Sequence, residues 1–202
     1  MIAIVDYNVG NLHSVISALT YLGIKTIVTG DKKDIERADA IILPGVGAFP
    51  DAMEELRKRD LIEFLKNQAQ IKPFLGICLG MQMLFDKSYE FKVTEGLGLI
   101  EGEIVKIPDD QYLKIPHMGW NNLKIVNDSP LLKNVNSGDY VYFVHSYYAK
   151  VTNNEHLIAT CNYGMDLTAI VQNKNVYGTQ FHPEKSSDTG LQILKNFGEL
   201  AK

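Results

Sequence analysis

Cysteine is scarce in this sequence: Cys78 and Cys161 are the two that it contains among 202 residues. Two thiols are too few for a disulfide scaffold or for a metal site made of cysteine thiolates. The five histidines also lack the spacing that metal ligands usually have, so we predict no metal and no other cofactor. So few cysteines are typical of a protein of the reducing cytoplasm, which is the location that we predict.

Long apolar runs and runs of basic residues are absent as well. No apolar stretch approaches the roughly 20 residues of a membrane-spanning helix, and residues 1–6 lack the basic segment and cleavage site of a signal peptide. The net charge is −4, without a long run of lysine or arginine. Neither a membrane nor a nucleic acid is therefore an expected partner.

Repeats, low-complexity tracts and linkers are also missing. Hydrophobic residues make up 46% and charged residues 22% of the chain, which is ordinary for a globular protein. The length suits one domain with a sizeable core. We therefore predict a single domain that spans residues 1–202.

The first half of the chain alternates short apolar runs with amphipathic stretches. Strands are predicted at 2–5, 25–28, 40–43 and 72–75, and helices at 12 to about 23, 33–37, 50–59 and 60–67. This order predicts an α/β fold with a doubly wound, mainly parallel sheet flanked by helices. Asn11 is expected to cap the first helix.

From residue 96 onward the pattern changes to short β-prone runs separated by turn signals. The runs lie at 103–107, 140–144, 157–160, 168–172 and 176–180, and a last helix is predicted from about 188 to 200. They predict extra antiparallel or mixed strands in the C-terminal half.

Gly76 and Gly80 lie two residues before and two residues after Cys78. With an apolar strand before them and a helical pattern to about residue 85 after them, this spacing is typical of a nucleophile elbow. A helix that starts at Leu79 favours a thiolate, because unpaired N–H groups and the helix dipole stabilise negative charge. We therefore predict Cys78 to be a nucleophile; the alternative is a tight turn around a small buried cysteine.

A histidine and a carboxylate follow the last predicted strand. In extended chain the side chains of His182 and Glu184 point the same way, and Pro183 restricts the backbone between them. A carboxylate on one imidazole nitrogen leaves the other nitrogen to take a proton from a thiol. Cys78, His182 and Glu184 are the predicted nucleophile, base and orienting carboxylate, and a surface turn is the alternative for the last two.

Two glycines, Gly45 and Gly47, flank Val46 just after the predicted strand 40–43. Backbone N–H groups that point outward at such a turn can form an oxyanion hole; the alternative is an ordinary flexible loop. Ligands bind outside the carboxyl ends of parallel strands, which is the edge where this loop and Cys78 both fall.

The segment 76–82 together with the segment 180–184 resembles the class I, or triad, glutamine amidotransferases. Three further segments, 43–49, 117–121 and 142–147, make the chain similar to the glutaminase subunits of imidazole glycerol phosphate synthase, an enzyme of histidine biosynthesis. The resemblance extends from Asp6 to Ser186. The segment 117–121 is the part that points to this subfamily.

The resemblance implies hydrolysis of L-glutamine to glutamate and ammonia through a γ-glutamyl thioester on Cys78. It implies that backbone N–H groups at Val46 and Leu79 stabilise the oxyanion. By the same resemblance, Gln82 and Glu90 hold the α-carboxylate and α-amino ends of glutamine. A carboxylate at Glu90 also suits an ammonium group on charge grounds, although a solvated helix end is the simpler interpretation. Backbone groups expected to assist are those of Gly47, Ser146 and Tyr147.

The resemblance also implies a heterodimer, in which ammonia passes through a channel to a cyclase subunit of the (β/α)8-barrel type. The cyclase then forms imidazole glycerol phosphate and an aminoimidazole carboxamide ribonucleotide. The interface is expected at Asn8, Asn11, Met118 and Trp120. Asn8 stands where the related loop often has a small residue such as glycine, and asparagine tolerates the positive φ that such a loop needs.

Three alternatives remain open at this point. One is a duplicated glutaminase that supplies a related cyclase-like synthase in another pathway. A second is a glutaminase for a different synthase, for example in vitamin B6 or anthranilate formation, against which the segment 117–121 argues. The third is a catalytically silent binding subunit on the same fold, against which the intact set of Cys78, His182 and Glu184 argues.

Overall fold

The computed structural model describes residues 1–109 and 113–201. Its strands are, in chain order, β1 (Ile2–Val5), β2 (Thr26–Thr29), β3 (Ala40–Gly45), β4 (Phe74–Cys78), β5 (Phe85–Ser88), β6 (Thr94–Glu95), β7 (Ile100–Lys106), β8 (His117–Asn122), β9 (Lys124–Ile125), β10 (Tyr140–His145), β11 (Tyr147–Val151), β12 (Leu157–Asn162), β13 (Asp166–Asn173) and β14 (Val176–Thr179). Its α-helices are α1 (Leu12–Tyr21), α2 (Lys32–Arg37), α3 (Phe49–Lys58), α4 (Ile62–Ala69), α5 (Leu79–Gln82) and α6 (Ser187–Leu200). Short 3₁₀ turns lie at Pro130–Leu132, Asn154–His156 and Pro183–Lys185.

The central sheet has eight strands in the order β2-β1-β3-β4-β14-β13-β12-β9. The strands from β2 to β14 in that order pair in parallel, and the remaining three extend the sheet with antiparallel pairs. This confirms the predicted fold class, including the antiparallel strands of the C-terminal half. A four-stranded sheet, β11-β7-β5-β6, and the pair β10-β8 lie beside it.

Helices cover both faces of the central sheet. Alternate residues of β1 divide between two apolar clusters: Ile2 and Ile4 pack with residues of α1 and α6, whereas Ala3 and Val5 pack with residues of α3 and α4. Every residue of β1, β3 and β4 is buried. Strands that are covered on both sides read as continuous apolar runs, which explains why these three could be found in the sequence.

Two predictions about helix ends are wrong. The helix after Leu79 ends at Gln82 instead of continuing to about residue 85, because the carbonyls of Met83 and Leu84 accept hydrogen bonds from the segment 97–100 and Phe85 begins β5. A single helical turn supplies unpaired N–H groups but little summed dipole. Asn11 precedes α1, but its side chain donates to Ser14 Oγ and makes no cap to the backbone.

The strands β5, β6, β8, β9 and β11 are absent from the sequence-based prediction. β5 is short and mixes polar with apolar residues, β6 consists of two polar residues, and β8 contains Gly119 at φ 132 although its register with β10 is continuous. Their pairing partners, rather than their own composition, hold them extended. Within the described residues, no helix is long and apolar enough to cross a membrane.

The turn between β4 and α5 packs against β3 with almost no space between the backbones. A Cβ added at Gly80 would lie 1.8 Å from the carbonyl oxygen of Leu43, and one added at Gly76 would lie 2.5 Å from the carbonyl oxygen of Gly80. Neither contact can be relieved by moving a flexible side chain, since both involve main-chain atoms. The predicted need for very small residues at both positions therefore has a direct steric cause.

We expect Gly80→Ala to destabilise the protein by more than about 3 kcal/mol, because the new methyl group forces β3 and α5 apart. Gly23→Ala is the matched control, since a Cβ there meets no atom within 4 Å. At φ 69 that control should cost only about 1–2 kcal/mol of left-handed strain. Urea unfolding followed by circular dichroism measures both variants. Equal midpoints for the two variants would contradict the steric argument.

Candidate active site

Cys78 is the last residue of β4, and its backbone adopts φ 55 and ψ −111. A positive φ in a residue other than glycine costs of the order of 1–3 kcal/mol and persists only where surrounding packing imposes it. Here the close contact of Gly80 with β3 imposes it. The side chain is buried except for 7% of its surface. A strained cysteine that retains access to a cavity differs from an ordinary core cysteine.

His182 and Glu184 contact each other through Nδ1 and Oε1 at 2.8 Å, and both side chains are almost wholly buried. Pro183–Lys185 is a 3₁₀ turn, so the predicted extended conformation of this segment is wrong. The turn brings the carboxylate back onto the ring. Because a carboxylate oxygen accepts, Nδ1 of His182 donates, and Nε2 is left for the Cys78 side.

The electrostatics of His182 are set by its two neighbours. Burial by itself lowers the pKa of the ring, but hydrogen bonds and opposite charge from Cys78 and Glu184 outweigh burial and raise the pKa to about 10. Oε2 of Glu184 is buried and has no hydrogen-bond partner among the described residues. A positive ring is therefore the main compensation for that buried carboxylate.

A cavity of about 320 Å³ opens above Cys78. Nine residues that the sequence predicted for the site line it, namely Val46, Gly47, Cys78, Leu79, Gln82, Glu90, Ser146, Tyr147 and His182. Glu184 lies behind His182, outside this cavity. The sequence did not predict three further lining residues, Pro116, Val144 and His145. The volume is that of a small-molecule site at the low end of the usual range.

Gln82 is held by its amide nitrogen. Nε2 donates to the carbonyl oxygen of Tyr147 and to Oε1 of Gln180, each at 3.0 Å. Both amide hydrogens are thus used inside the protein, and only Oε1 remains to contact a ligand. An amide oxygen accepts hydrogen bonds, so Gln82 suits an ammonium group and not the α-carboxylate expected from the resemblance.

The side chain of Gln180 also belongs to the site, and the sequence did not predict a role for it. It is fully buried, and its Nε2 lies 3.9 Å from Sγ of Cys78 in hydrogen-bonding geometry. Its position directly before Phe181 and His182 is the signal that could have found it. The amide can donate a hydrogen bond to the sulfur.

Glu90 lies in the turn that follows β5, not at a helix end. Its Oε2 accepts a hydrogen bond of 2.7 Å from the backbone N–H of Phe49 at the start of α3. Burial raises the pKa of the carboxyl, and the nearby Asp51 raises it further, while the Phe49 N–H opposes both. The result is a half-buried carboxylate at one end of the cavity, suited to an ammonium group.

The loop at Val46 begins where β3 ends, beside the elbow. Gly45 is the register partner of Cys78, and Gly47 has φ 91. Tyr7, which the sequence analysis did not single out, donates its hydroxyl to the carbonyl oxygen of Pro44 at 2.7 Å. Burial, and then Cys78, raise the pKa of Tyr7 beyond its usual range. Tyr7 is thus a neutral donor that holds the strand end from which this loop departs.

The four residues predicted at a partner interface lie at the surface. Met118 and Trp120 on β8 are 66% and 53% exposed, and the ring of Trp120 meets Tyr142 edge to face at 6.0 Å. Asn8 is exposed at φ 68, the positive φ that the sequence allowed for. Asn11 is half-exposed and borders a small cleft next to His182 and Glu184.

Comparisons with known proteins place this geometry among relatives. A family model described as glutamine amidotransferase class-I matches residues 3–200. The imidazole glycerol phosphate synthase subunit HisH of Caldanaerobacter subterraneus subsp. tengcongensis is 52% identical over 203 residues, covering 100% of this chain and 99% of that protein. The subunit of the same name from Bacillus cereus is 54% identical over 198 residues, with 98% and 93% covered.

Among solved structures, PurLQS from Thermotoga maritima matches with a TM-score of 0.75 and 19% identity, covering 100% of this chain and 98% of that one. At this level of identity the likeness concerns the fold alone. It agrees with the mainly parallel sheet and its flanking helices.

The two cysteines should differ in reactivity. Cys161 is fully buried, and burial together with Asp166 raises the pKa of its thiol to about 12. We expect iodoacetamide at pH 7 to modify Cys78 and to leave Cys161 unmodified in the folded protein. His182→Asn should slow the modification of Cys78 by at least about tenfold, because the positive ring is lost. Peptide mass spectrometry measures both sites, and an unchanged rate in the variant would refute the proposed pairing of the two side chains.

Proposed function

The chain belongs to the class-I glutamine amidotransferase family, and from that premise we propose that it is the glutaminase subunit of an imidazole glycerol phosphate synthase in histidine biosynthesis. The identity of 52% and 54% over nearly full length to HisH subunits supports this function. One structural observation carries the chemistry: a strained Cys78 shares a cavity with His182, whose other nitrogen is bound to buried Glu184. The whole chain acts as one glutaminase domain in the reducing cytoplasm, where both thiols stay free.

The first half of the reaction forms a thioester. The thiol proton of Cys78 passes to Nε2 of His182, Sγ attacks the side-chain amide carbon of glutamine, and the carbonyl oxygen becomes negative. Backbone N–H groups of Leu79 and of the Val46 loop stabilise that oxyanion. His182 gives the proton on Nε2 to the departing nitrogen, the C–N bond breaks, and ammonia leaves.

The second half releases glutamate. A water molecule loses a proton to Nε2 of His182 and attacks the thioester carbon. The second oxyanion occupies the same site, the C–S bond breaks, and the thiolate of Cys78 is restored. Throughout, Glu184 holds Nδ1–H of His182, so that the ring always presents Nε2 to the reacting atoms.

Charge and hydrogen-bond polarity set the direction in which glutamine binds. The carboxylate of Glu90 and Oε1 of Gln82 are acceptors and suit the α-ammonium group. Backbone N–H groups of Gly47, Ser146 and Tyr147 are donors and suit the α-carboxylate. The role of Gln82 therefore moves from the carboxylate end of glutamine to its amino end.

The partner in this proposal is a cyclase subunit of the (β/α)8-barrel type that forms a heterodimer with this chain. It receives ammonia directly, because ammonia released into water is protonated and loses its nucleophilic lone pair. It combines the ammonia with a ribonucleotide to give imidazole glycerol phosphate and an aminoimidazole carboxamide ribonucleotide. The exposed side chains of Met118 and Trp120, together with Asn8 and Asn11, form the proposed docking surface.

Cys78→Ala is expected to lower glutamine hydrolysis by at least about a thousandfold, because no other group can form the thioester. Synthesis by the complex from added ammonium should persist, since the cyclase does not use this thiol. Cys161→Ala is the matched control and should keep both activities. Glutamate release and product formation are measured with the cyclase and its ribonucleotide substrate. Glutamine turnover by the Cys78→Ala complex would rule out the nucleophile.

Trp120→Ala should weaken binding of the cyclase by at least about tenfold, since a buried aromatic anchor is worth more than about 1 kcal/mol at an interface. Tyr21→Ala is the control, because Tyr21 is 79% exposed at the far end of α1. Titration calorimetry gives the affinity, and glutamate release with and without the cyclase gives the coupling. If a cyclase of histidine biosynthesis neither binds nor stimulates the chain, the glutaminase activity remains assigned but the partner belongs to another pathway.

A further inference from the structure

Two buried imidazoles lie next to the proposed glutamine site and take no part in the chemistry described above. His117 on β8 and His145 on β10 are register partners, and they are 3% and 6% exposed. Nδ1 of His117 lies 3.0 Å from Nε2 of His145. His145 lines the cavity, whereas His117 lies behind it.

The polarity of this pair follows from its neighbours. Nδ1 of His145 is 2.8 Å from the carbonyl oxygen of Tyr147, which can only accept, so Nδ1 carries the hydrogen. A neutral His145 then has a lone pair on Nε2, and Nδ1 of His117 must donate to it. His117 is left with an accepting Nε2.

Asn121 supplies a hydrogen-bond donor for Nε2 of His117. Its Oδ1 accepts from the backbone N–H of Asn122 at 2.9 Å, and its Nδ2 donates to the carbonyl oxygen of Asn162 at 2.8 Å. The orientation of the amide is therefore determined independently of the histidines. The second hydrogen of Nδ2 points toward Nε2 of His117 at 3.3 Å. The hydrogen bonds therefore form one series in which each group donates to the next, from Asn121 through His117 and His145 to the Tyr147 carbonyl.

The surroundings keep both rings neutral and in place. The ring of His117 is stacked on Phe143 at 4.7 Å and on Tyr163 at 4.1 Å. Burial lowers the pKa of His117 to about 4. Burial, and then the neighbouring His117 and His182, lower the pKa of His145 to about 3, although the Tyr147 carbonyl opposes them. Each nitrogen therefore has one determined role at neutral pH.

The last member of this series of hydrogen bonds is the carbonyl of Tyr147, on which the proposed glutamine site depends. The carbonyl oxygen of Tyr147 accepts from His145 and also from Nε2 of Gln82 at 3.0 Å. The carbonyl of Ser146 is held separately by the backbone N–H of Ile107 at 2.9 Å. Together these bonds orient the wall of the cavity at Ser146 and Tyr147 and hold the amide nitrogen of Gln82 against it.

We propose that His117 and His145 are positioning residues, which align the Tyr147 carbonyl, and through it Gln82, for binding the α-amino and α-carboxylate groups of glutamine. This inference rests on the proposed function, because it assigns both residues to the glutamine site. It also gives the segment 117–121 a physical role. His117 and Asn121 are four residues apart on one strand, and they are the first two members of the series of hydrogen bonds.

His145→Leu and His145→Asn test the proposal as a pair. Leucine removes the donor to the Tyr147 carbonyl, and asparagine can restore it, because its Nδ2 falls near the position of the imidazole Nδ1. With the cyclase bound, we expect His145→Leu to raise KM for glutamine by at least about tenfold, with kcat changed by less than about threefold. His145→Asn should return KM to within about threefold of the unsubstituted protein. His156→Leu, in a turn away from the site, is the control.

Alkylation of Cys78 by iodoacetamide separates this proposal from the proposed function, since it requires no bound glutamine. The alkylation rate should stay unchanged in His145→Leu. The proposal is overturned by an unchanged KM, by equal defects in the leucine and asparagine variants, or by a loss confined to kcat and alkylation. Absence of glutamate release by the unsubstituted complex would instead overturn the proposed function itself.

A second pair keeps the proposal testable if His145→Leu does not fold. His117→Phe retains the stacking on Phe143 and Tyr163 but loses the donor, whereas His117→Asn retains a donor. Thermal unfolding identifies folded variants. KM should rise in the phenylalanine variant by at least about threefold and fall back in the asparagine variant, and the opposite order would overturn the proposal.

Discussion

The contact of Gly80 with the carbonyl of Leu43 is the constraint on which the site depends. A Cβ at Gly80 would clash with the main chain of β3, so α5 and β3 can approach closely only with glycine there. This approach forces the turn at Cys78 into φ 55. It also places the end of β3 beside the cysteine, which sets the Val46 loop against the elbow. The positions of the proposed nucleophile and of the proposed oxyanion site thus both follow from this steric constraint.

Burial acts on both histidines that line the cavity, and the partners of each ring decide how its pKa changes. His182 is buried against Glu184 and Cys78, and its pKa rises to about 10 because opposite charges outweigh desolvation. His145 is buried against a carbonyl and another histidine, and its pKa falls to about 3. Neighbouring imidazoles therefore differ in charge at the same pH. One is suited to move a proton, and the other to donate a hydrogen bond that does not change.

The proposed glutamine site and the proposed docking surface share the pair of strands β8 and β10. On β8, Met118 and Trp120 face outward, while His117 is buried. On β10, His145 reaches the cavity. A partner that contacts Trp120 therefore contacts β8, the strand whose His117 belongs to the series of hydrogen bonds that ends at the Tyr147 carbonyl. The proposed glutamine site and the proposed docking surface are therefore adjacent.

The sequence by itself determined the parallel core of the sheet, the elbow glycines and the pairing of a histidine with a carboxylate two residues later. Continuous apolar runs, a spacing of two around Cys78 and a histidine two residues before a glutamate are properties of short segments. The tertiary structure alone decided that α5 stops at Gln82, that Gln82 presents its oxygen, and that Tyr7, Gln180 and His145 belong to the site. Each of these depends on a hydrogen-bond partner at least 14 residues away in sequence, and only folding brings such partners together.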